Sequence, residues 1–481
     1  MPEALAERAY EPVIGLEIHV QLKTRTKMFC GCELSFGEEP NTRTCPVCLG
    51  HPGTLPVTNA EAVHFALMIG LALECEIAPR SIFHRKNYFY PDLPKGYQIS
   101  QYDVPLASRG RLGDVRIHRV HLEEDAAKLV HAGASGRIHS AEASVVDFNR
   151  GGTPLVEIVT EPDVRSASQA KEWLELLRRT LRRLEVSDVR MEEGSLRCDA
   201  NVSIRPAGEA TLGTKTELKN MNSFRFLERG VNAEIARQEE TLRGGGEISQ
   251  ETLHYDPATG ALSPLRSREE AHDYRYLPEP DLVPLAPTEE MLERARAALP
   301  ELPAQRAERL ERDLGLPAEN AQRLAFRTDL GDFFEATLQA AGDGADARTI
   351  SNWLTGDLVS LVGDSDPAAS KLEPSALARL VGMVAQGAVA PSAAKEVLAI
   401  LVADGGDPAR VVEAKGLARA GADELTQVVE RAMADQPDAV QKIRAGNRKA
   451  EGAIVGAVMR ETKGRADGAE VLRLLRERIG E

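Results

Sequence analysis

Four of the six cysteines in this 481-residue chain fall within nineteen positions, as Cys30-Gly-Cys32 and Cys45-Pro-Val-Cys48 with twelve residues between the pairs. Two close thiol pairs, each on a tight knuckle, joined by a loop long enough to bring the knuckles together, meet the needs of a tetrahedral metal site. The second knuckle has the zinc-ribbon form, and the first is one residue tighter. Disulfides are the competing use of such pairs. The N-terminus, Met1-Pro-Glu-Ala-Leu-Ala-Glu, is acidic and lacks the apolar core of a secretory signal, so reduced thiols in a cytoplasmic compartment are expected. Four ligands fill a zinc shell, so Cys30, Cys32, Cys45 and Cys48 are expected to hold a structural Zn²⁺, and the chemistry must be sought elsewhere.

The chain is too long for one ordinary core, and its length suggests about three domains. No apolar run reaches the roughly 18 residues of a membrane span; the longest, Ala66 to Ala72, is soon followed by Glu74. The net charge of −15 argues against a general nucleic-acid binder, yet Gln441 to Glu481 holds ten Lys/Arg against six Asp/Glu. A basic terminal module on an acidic body suits a phosphate backbone; a solvated helical surface explains the same charges.

Up to about residue 295, strand-like alternation mixes with helices, punctuated by Asn149-Arg-Gly-Gly-Thr-Pro154, Gly244-Gly-Gly246 and Pro278-Glu-Pro280. Helices are predicted from Asn59 to about Cys75, from about Ser168 to Glu185, and from about Asn222 to Arg243. In the second, Leu174, Leu177, Leu181 and Leu184 share the core face, and Arg178, Arg179, Arg182 and Arg183 the other. Beyond 295, Ala, Leu, Glu and Arg dominate, and Pro303, Pro317, Pro374 and Pro391 mark helix starts. The expected organisation is therefore 1–295, a helical domain 296–404, and a small helical tail 405–481 after the hinge Asp404-Gly-Gly-Asp-Pro408.

Val13 to Leu22 alternates cleanly: Ile14, Leu16, Ile18, Val20 and Leu22 on one face, Gly15, Glu17, His19 and Gln21 on the other. Arg197 to Arg205 repeats the design, with Arg197, Asp199, Asn201, Ser203 and Arg205 opposite an apolar set. Thr214 to Lys219 puts Lys215, Glu217 and Lys219 together, the segment from His118 ends in Glu123-Glu-Asp125, and Glu157 interrupts an apolar run. A carboxylate in such a run is costly to bury unless a cation compensates it. Strands that each offer carboxylates and cations on one face predict an antiparallel sheet lining a cleft, with carboxylates for Mg²⁺ and cations for phosphates. The near-P-loop Gly208 to Lys215 has Thr where the Lys belongs and is followed by a strand, so it is rejected. Cys75 and Cys198 fall on apolar faces and read as core. The segments Arg85 to Gln101 and His272 to Asp281 interleave aromatics with cations, which suits stacking on a base or an RNA end; self-packed loops are the alternative.

Val13-Ile-Gly-Leu-Glu-Ile-His-Val, Arg85-Lys-Asn-Tyr-Phe-Tyr-Pro-Asp, Tyr97-Gln-Ile-Ser-Gln, Glu123-Glu-Asp-Ala, Asp147-Phe-Asn-Arg-Gly-Gly-Thr-Pro-Leu-Val-Glu-Ile-Val, Met191-Glu-Glu-Gly-Ser-Leu-Arg-Cys-Asp-Ala-Asn, Asp273-Tyr-Arg-Tyr-Leu-Pro-Glu-Pro-Asp and Ser351-Asn-Trp-Leu-Thr-Gly-Asp357 together resemble the B-subunit family of tRNA-dependent amidotransferases. The resemblance spans essentially the whole chain. It implies an α+β protein: a glutamine-synthetase-like antiparallel catalytic domain with a zinc knuckle, an all-helical domain and a small helical tail touching tRNA, where Arg448, Lys449 and Lys463 are the implied contacts. The implied reaction is ATP-dependent amidation of Glu-tRNA(Gln) or Asp-tRNA(Asn) through an acyl phosphate. Ammonia would come from a partner amidase (A) subunit in a heterotrimer with a small C subunit, and the cognate aminoacyl-tRNA synthetase is a further implied partner.

By motif, Glu17, His19, Glu124 and Glu157 are the implied catalytic and Mg²⁺-binding set, and Lys86, Arg150, Asp199, Asn201 and Lys215 the implied nucleotide or acyl-phosphate contacts. Zinc is implied to stabilise rather than catalyse. Two other functions compete. A non-enzymatic zinc-containing tRNA adaptor leaves the carboxylate strands unexplained, and a small-molecule ammonia ligase leaves the basic tail idle.

Overall fold

A computed structural model describes residues 9–132, 143–219, 221–267, 274–342, 346–363 and 365–479. The His272-Asp273 start of one aromatic segment lies outside these residues. The chain divides into two units, Met1–Leu302 and Pro303–Glu481.

The first unit contains strands β1 (Tyr10–Gln21), β2 (Glu76–Ile77), β3 (His84–Asn87), β4 (Tyr97–Ser100), β5 (Ala107–Leu112), β6 (Val115–Glu124), β7 (Lys128–Ala132), β8 (Ala143–Asp147), β9 (Pro154–Thr160), β10 (Leu196–Pro206), β11 (Thr216–Lys219), β12 (Glu251–Tyr255), β13 (Leu262–Ser267) and β14 (Leu277–Pro278). Its helices are α1 (Ala60–Ala72), α2 (Ala167–Arg183), α3 (Phe224–Arg243) and α4 (Glu289–Ala298). Among the described residues, nine strands form one sheet in the order β13-β12-β11-β10-β1-β9-β6-β5-β2. The sheet is mixed, which corrects the purely antiparallel expectation: β12 runs parallel to β11 because the whole of α3 intervenes, and a crossover of that length can return the chain in the same direction.

The alternation read in β1 decides the layering. Ile14, Leu16, Ile18 and Val20 are fully buried, and they share one apolar cluster with Leu174, Leu177 and Leu181 of α2 and with Leu227 and Val231 of α3. Each such side chain contributes about 1.5–3 kcal/mol by leaving water. Helices therefore cover one face of the sheet, and the opposite face keeps its polar residues. Capping fixes where the helices begin: Asn59 accepts from Glu61 and Ala62 N–H at α1, Ser166 from Gln169 N–H at α2, and Ser223 from Phe226 N–H at α3. Helix α4 extends past the expected helical start and belongs to the first unit, with Ala295 buried in the sheet cluster and Met291, Leu292 and Leu299 against it.

In the second unit the described secondary-structure elements are all helices. Pro374 and Pro391 occupy first-turn positions, where a missing N–H costs nothing. The Ser351–Asp357 motif runs from a short α-helix into a π-helical turn, Trp353–Leu358. One apolar cluster gathers residues from Leu310 to Leu417, and another those from Leu425 to Leu475. Gly405 and Gly406, at φ 74° and 105°, form a tight turn inside the first of these clusters, because Val412 and Leu417 beyond it pack with the preceding helices.

Candidate functional site

The polar face of the large sheet is a grid whose rows follow from register. His19 on β1 lies opposite Glu157 on β9, which lies opposite His121 on β6. One row away are Glu17, Val159 and Arg119; one row the other way are Gln21, Leu155 and Glu123. On the other flank of β1, Glu17 faces Asp199 and His19 faces Arg197. Cross-strand neighbours on one face lie about 4.5–5.5 Å apart at Cβ, so residues distant in sequence meet here.

His19 Nε2 is 3.7 Å from a Glu123 oxygen and 3.7 Å from a Glu157 oxygen. One donor atom from each of His19, Glu123 and Glu157 lies within 4.8 Å of the others, close enough to share an ion. His121 Nε2 approaches Glu157 at 3.1 Å and Glu123 at 3.7 Å, and Arg119 stands 4.0 Å from Glu157. Ser100 Oγ donates to Glu123 at 3.0 Å.

Burial would raise the Glu157 carboxyl, but His121, His19 and Arg119 hold it well below the ordinary carboxylate range. Glu123 is likewise lowered, with His121 and His19 overcoming burial and the neighbouring Glu157. Burial disfavours the His121 imidazolium, yet Glu157 and Glu123 push it up to about 9. Lys86 is raised despite its burial by Tyr276, Glu123 and Glu157. Two anions thus persist out of water because cations surround them, which is the condition for burying charge at all.

A cleft of about 420 Å³ opens over this floor, and Glu17, His19, Lys86, Lys215, Lys219, Arg119, Tyr102, Tyr274 and Tyr276 are among its lining residues. Of the implied residues, His19 and Glu157 are therefore brought together, Glu17 sits one row away, and Lys86 and Lys215 border the same space. Asn201 donates to Glu17 at 2.8 Å, and Lys219 donates to Asp199 at 2.7 Å, so this pair supports the floor from the β10 flank.

Glu124 is corrected. Period two puts it on the face opposite Glu123, where its carboxylate pairs with Lys95 and accepts from Ile99 N–H at 3.0 Å. It lines a smaller cavity of about 100 Å³ beside the cysteine knuckle. Arg150 is also elsewhere: its guanidinium donates to Ala126 O at 2.9 Å and Ala127 O at 2.8 Å, and lies 3.8 Å from Asp125, which Arg197 holds at 2.9 Å. Glu123, Arg119 and His121 are the floor residues that sequence reasoning passed over. The signal was present, since 119, 121 and 123 share one parity and Val120, Leu122 and Glu124 the other.

A divalent cation fits the floor chemically: two ionised carboxylates supply hard oxygen donors and His19 a nitrogen. The buried Arg119 Nε, His121 Nδ1 and Asn201 Oδ1 have no hydrogen-bond partner among the described residues, so the face retains hydrogen-bonding capacity for a bound group.

The second cluster lies in the knuckle. The donor sulfurs of Cys30, Cys32, Cys45 and Cys48 are within 4.8 Å of one another, an arrangement compatible with a zinc site. Cys45 N–H donates to Cys48 Sγ at 3.2 Å, and the Cys30 thiol, this N–H and Lys27 bring the Cys48 thiol down to about 4, against the effect of burial. Lys27 is buried to 1% exposure with its Nζ 3.6 Å from Cys48 Sγ and 3.0 Å from Phe148 O. No carboxylate lies within ion-pair distance of it among the described residues. A buried ammonium in that position fits an anionic, thiolate-rich centre.

In the second unit, Arg448 and Lys449 lie in a short helical turn, Arg448–Ala450, and Lys463 follows the helix Glu451–Glu461 at φ 51°; all three are exposed. Among the described residues, no helix is long and apolar enough to cross a membrane.

Residues 12–293 match the GatB/GatE catalytic domain and residues 332–479 the GatB domain. The chain is 51% identical to the B subunit of the aspartyl/glutamyl-tRNA(Asn/Gln) amidotransferase of Frankia casuarinae, over 98% of this chain and 96% of the relative. Proteins of the same name from Persephonella marina (46%; 97% and 99% covered) and Moorella thermoacetica (48%; 98% and 100% covered) are similar over nearly their whole lengths.

Proposed function

Because the chain belongs to the family of aspartyl/glutamyl-tRNA(Asn/Gln) amidotransferase B subunits, we propose that it amidates misacylated tRNA as one subunit of a ligase-type complex, and that the His19–Glu123–Glu157 floor is where it does so. The observation that carries this reading is the convergence of those three donors on one sheet face beneath a cleft bordered by Lys86, Lys215, Lys219 and Arg119.

The chemistry explains the residue types. A side-chain carboxylate on Glu-tRNA(Gln) or Asp-tRNA(Asn) resists attack by ammonia because it offers no leaving group. Transfer of a phosphoryl group from ATP gives an acyl phosphate, which ammonia then attacks with loss of phosphate. His19, Glu123 and Glu157 would hold Mg²⁺, which would neutralise phosphate charge when bound. Arg119, Lys86, Lys215 and Lys219 bring fixed positive charge to the oxygens of the transferring group, and Glu17, oriented by Asn201, faces the same space. His121 keeps Glu157 and Glu123 ionised and in place.

We read the sheet as glutamine-synthetase-like, supported by one helix-covered face and one open polar face. Residues up to about Leu302 form the catalytic part, the helices whose cluster runs from Leu310 to Leu417 a linker, and those gathered from Leu425 to Leu475 a tRNA-contacting tail presenting Arg448, Lys449 and Lys463. The four-cysteine knuckle is a structural zinc site. The partners are the amidase A subunit, which supplies ammonia, the small C subunit and the cognate synthetase, all in the cytoplasm.

The test is ADP release by the assembled complex with Mg²⁺ and ATP, comparing Glu-tRNA(Gln), Asp-tRNA(Asn) and uncharged tRNA. ADP formation that requires one charged tRNA supports the reading and names the substrate. No stimulation by either would favour a tRNA adaptor.

A further inference from the structure

The cleft mouth carries an aromatic column that phosphoryl transfer and amide formation do not require. The Tyr102 and Tyr276 rings stack in parallel, with centroids 4.3 Å apart and planes 6° from one another. His84 meets both edge-on, at 6.4 and 6.5 Å, and is itself buried with Nε2 3.1 Å from Asp103. Tyr274 abuts Tyr276 at 6.0 Å, and the Lys86 ammonium lies 4.5 Å over the Tyr274 ring. The backbone between the two tyrosines is held in an unusual shape. Arg275 has φ 46°, a left-handed conformation that non-glycine residues seldom adopt, and Asn87 Nδ2 donates to both Tyr274 O at 3.1 Å and Arg275 O at 2.8 Å. That clamp places Tyr274 and Tyr276 together on the cleft wall.

The outer ring is unfinished. Tyr102 is 43% exposed at the rim, so one ring of a preformed stack faces solvent. We propose that the Tyr102–Tyr276 column is a stacking platform for the unpaired terminal base of the RNA whose aminoacyl ester enters the cleft. This inference rests on the amidation reading above.

The connectivity of the substrate supports it. The amino acid hangs from the terminal ribose, and the terminal base hangs from the same ribose, so a reacting carboxyl on the carboxylate floor requires the base near the mouth. Any base offers a π-face, so stacking grips the end without reading its sequence. Fixing the base also fixes the ester, which converts binding into orientation. An adenine of free ATP has the same ring chemistry. The column favours the RNA end because it lies at the half-exposed rim, where a chain can continue into solvent, whereas small ligands bury most of their surface.

The experiment uses the assembled complex and an acceptor-stem RNA minihelix ending in 2-aminopurine. The expected result is quenching of its fluorescence on binding, lost in Tyr102→Ala and kept in Tyr102→Phe and Tyr102→Trp. With charged tRNA, Tyr102→Ala should lower kcat/KM about 10-fold, with the KM for ATP unchanged. Quenching that survives Tyr102→Ala overturns the proposal. So does recovery of fluorescence with excess non-hydrolysable ATP analogue, or a rise in the KM for ATP alone, because each assigns the platform to the nucleotide. The quenching needs no catalysis, so it separates this proposal from the amidation reading, which fails if the wild-type complex forms no ADP with charged tRNA.

Discussion

Among its described residues the first unit contains two clusters able to hold a metal, and they are built in opposite ways. The knuckle takes all its donors from Cys30 to Cys48, on loops, with Lys27 as its buried charge partner. The floor takes His19, Glu123 and Glu157 from three different strands, with Lys86 and the tyrosines from further segments. Soft, closed and local suits a staple; hard, open and assembled from distant strands suits a reaction. The contrast teaches that a site's sequence span reflects its task, since a catalytic floor needs a rigid sheet to fix its groups while a staple needs only a loop.

Four experiments break or sharpen that contrast. The largest effect is expected from Glu157→Gln, which should lower charged-tRNA-dependent ADP formation by at least about 100-fold while circular dichroism stays native. A variant with near-normal turnover would end the distinction between floor and staple. Next, Glu123→Gln should raise the Mg²⁺ concentration for half-maximal activity by about 10- to 100-fold. Glu124→Gln should leave that concentration unchanged and instead lower stability, since it takes the charged partner from the half-buried Lys95; an equal Mg²⁺ shift in both variants would contradict the parity argument.

Lys27→Met should speed zinc release to a chromogenic chelator by about 10-fold, with Mg²⁺ dependence untouched. Unchanged release would remove Lys27 from the knuckle's charge balance. The smallest effect on chemistry is expected from Cys45→Ser with Cys48→Ser. Melting should move down by roughly several °C, while ADP formation at 25 °C remains within about twofold of wild type. A collapse of activity at unchanged stability would mean that the knuckle takes part in the reaction.

Much of the floor was legible before any fold was known. The alternation of Val13 to Leu22 identified Glu17 and His19 on a polar face, and Glu157 stood out because a carboxylate in an apolar strand demands compensation. The choice of Glu124 over Glu123 came from the motif, against the parity that the strand itself displays. Arg150 lies in a glycine-rich turn with no period, so nothing local says where its guanidinium goes. It satisfies two backbone carbonyls.

The sequence by itself determined the local matters: which strands have a polar face, where helices begin, and that four thiols can meet within nineteen residues. Those follow from side-chain period, capping and short loop closure, which act over a few residues. Only the tertiary structure decided that His19, Glu157 and His121 form one row, that β12 runs parallel to β11, and that Tyr102 covers Tyr276. Register between strands and the meeting of distant loops depend on the packing of the whole unit, because a slip of one residue would turn every side chain of a strand to the other face.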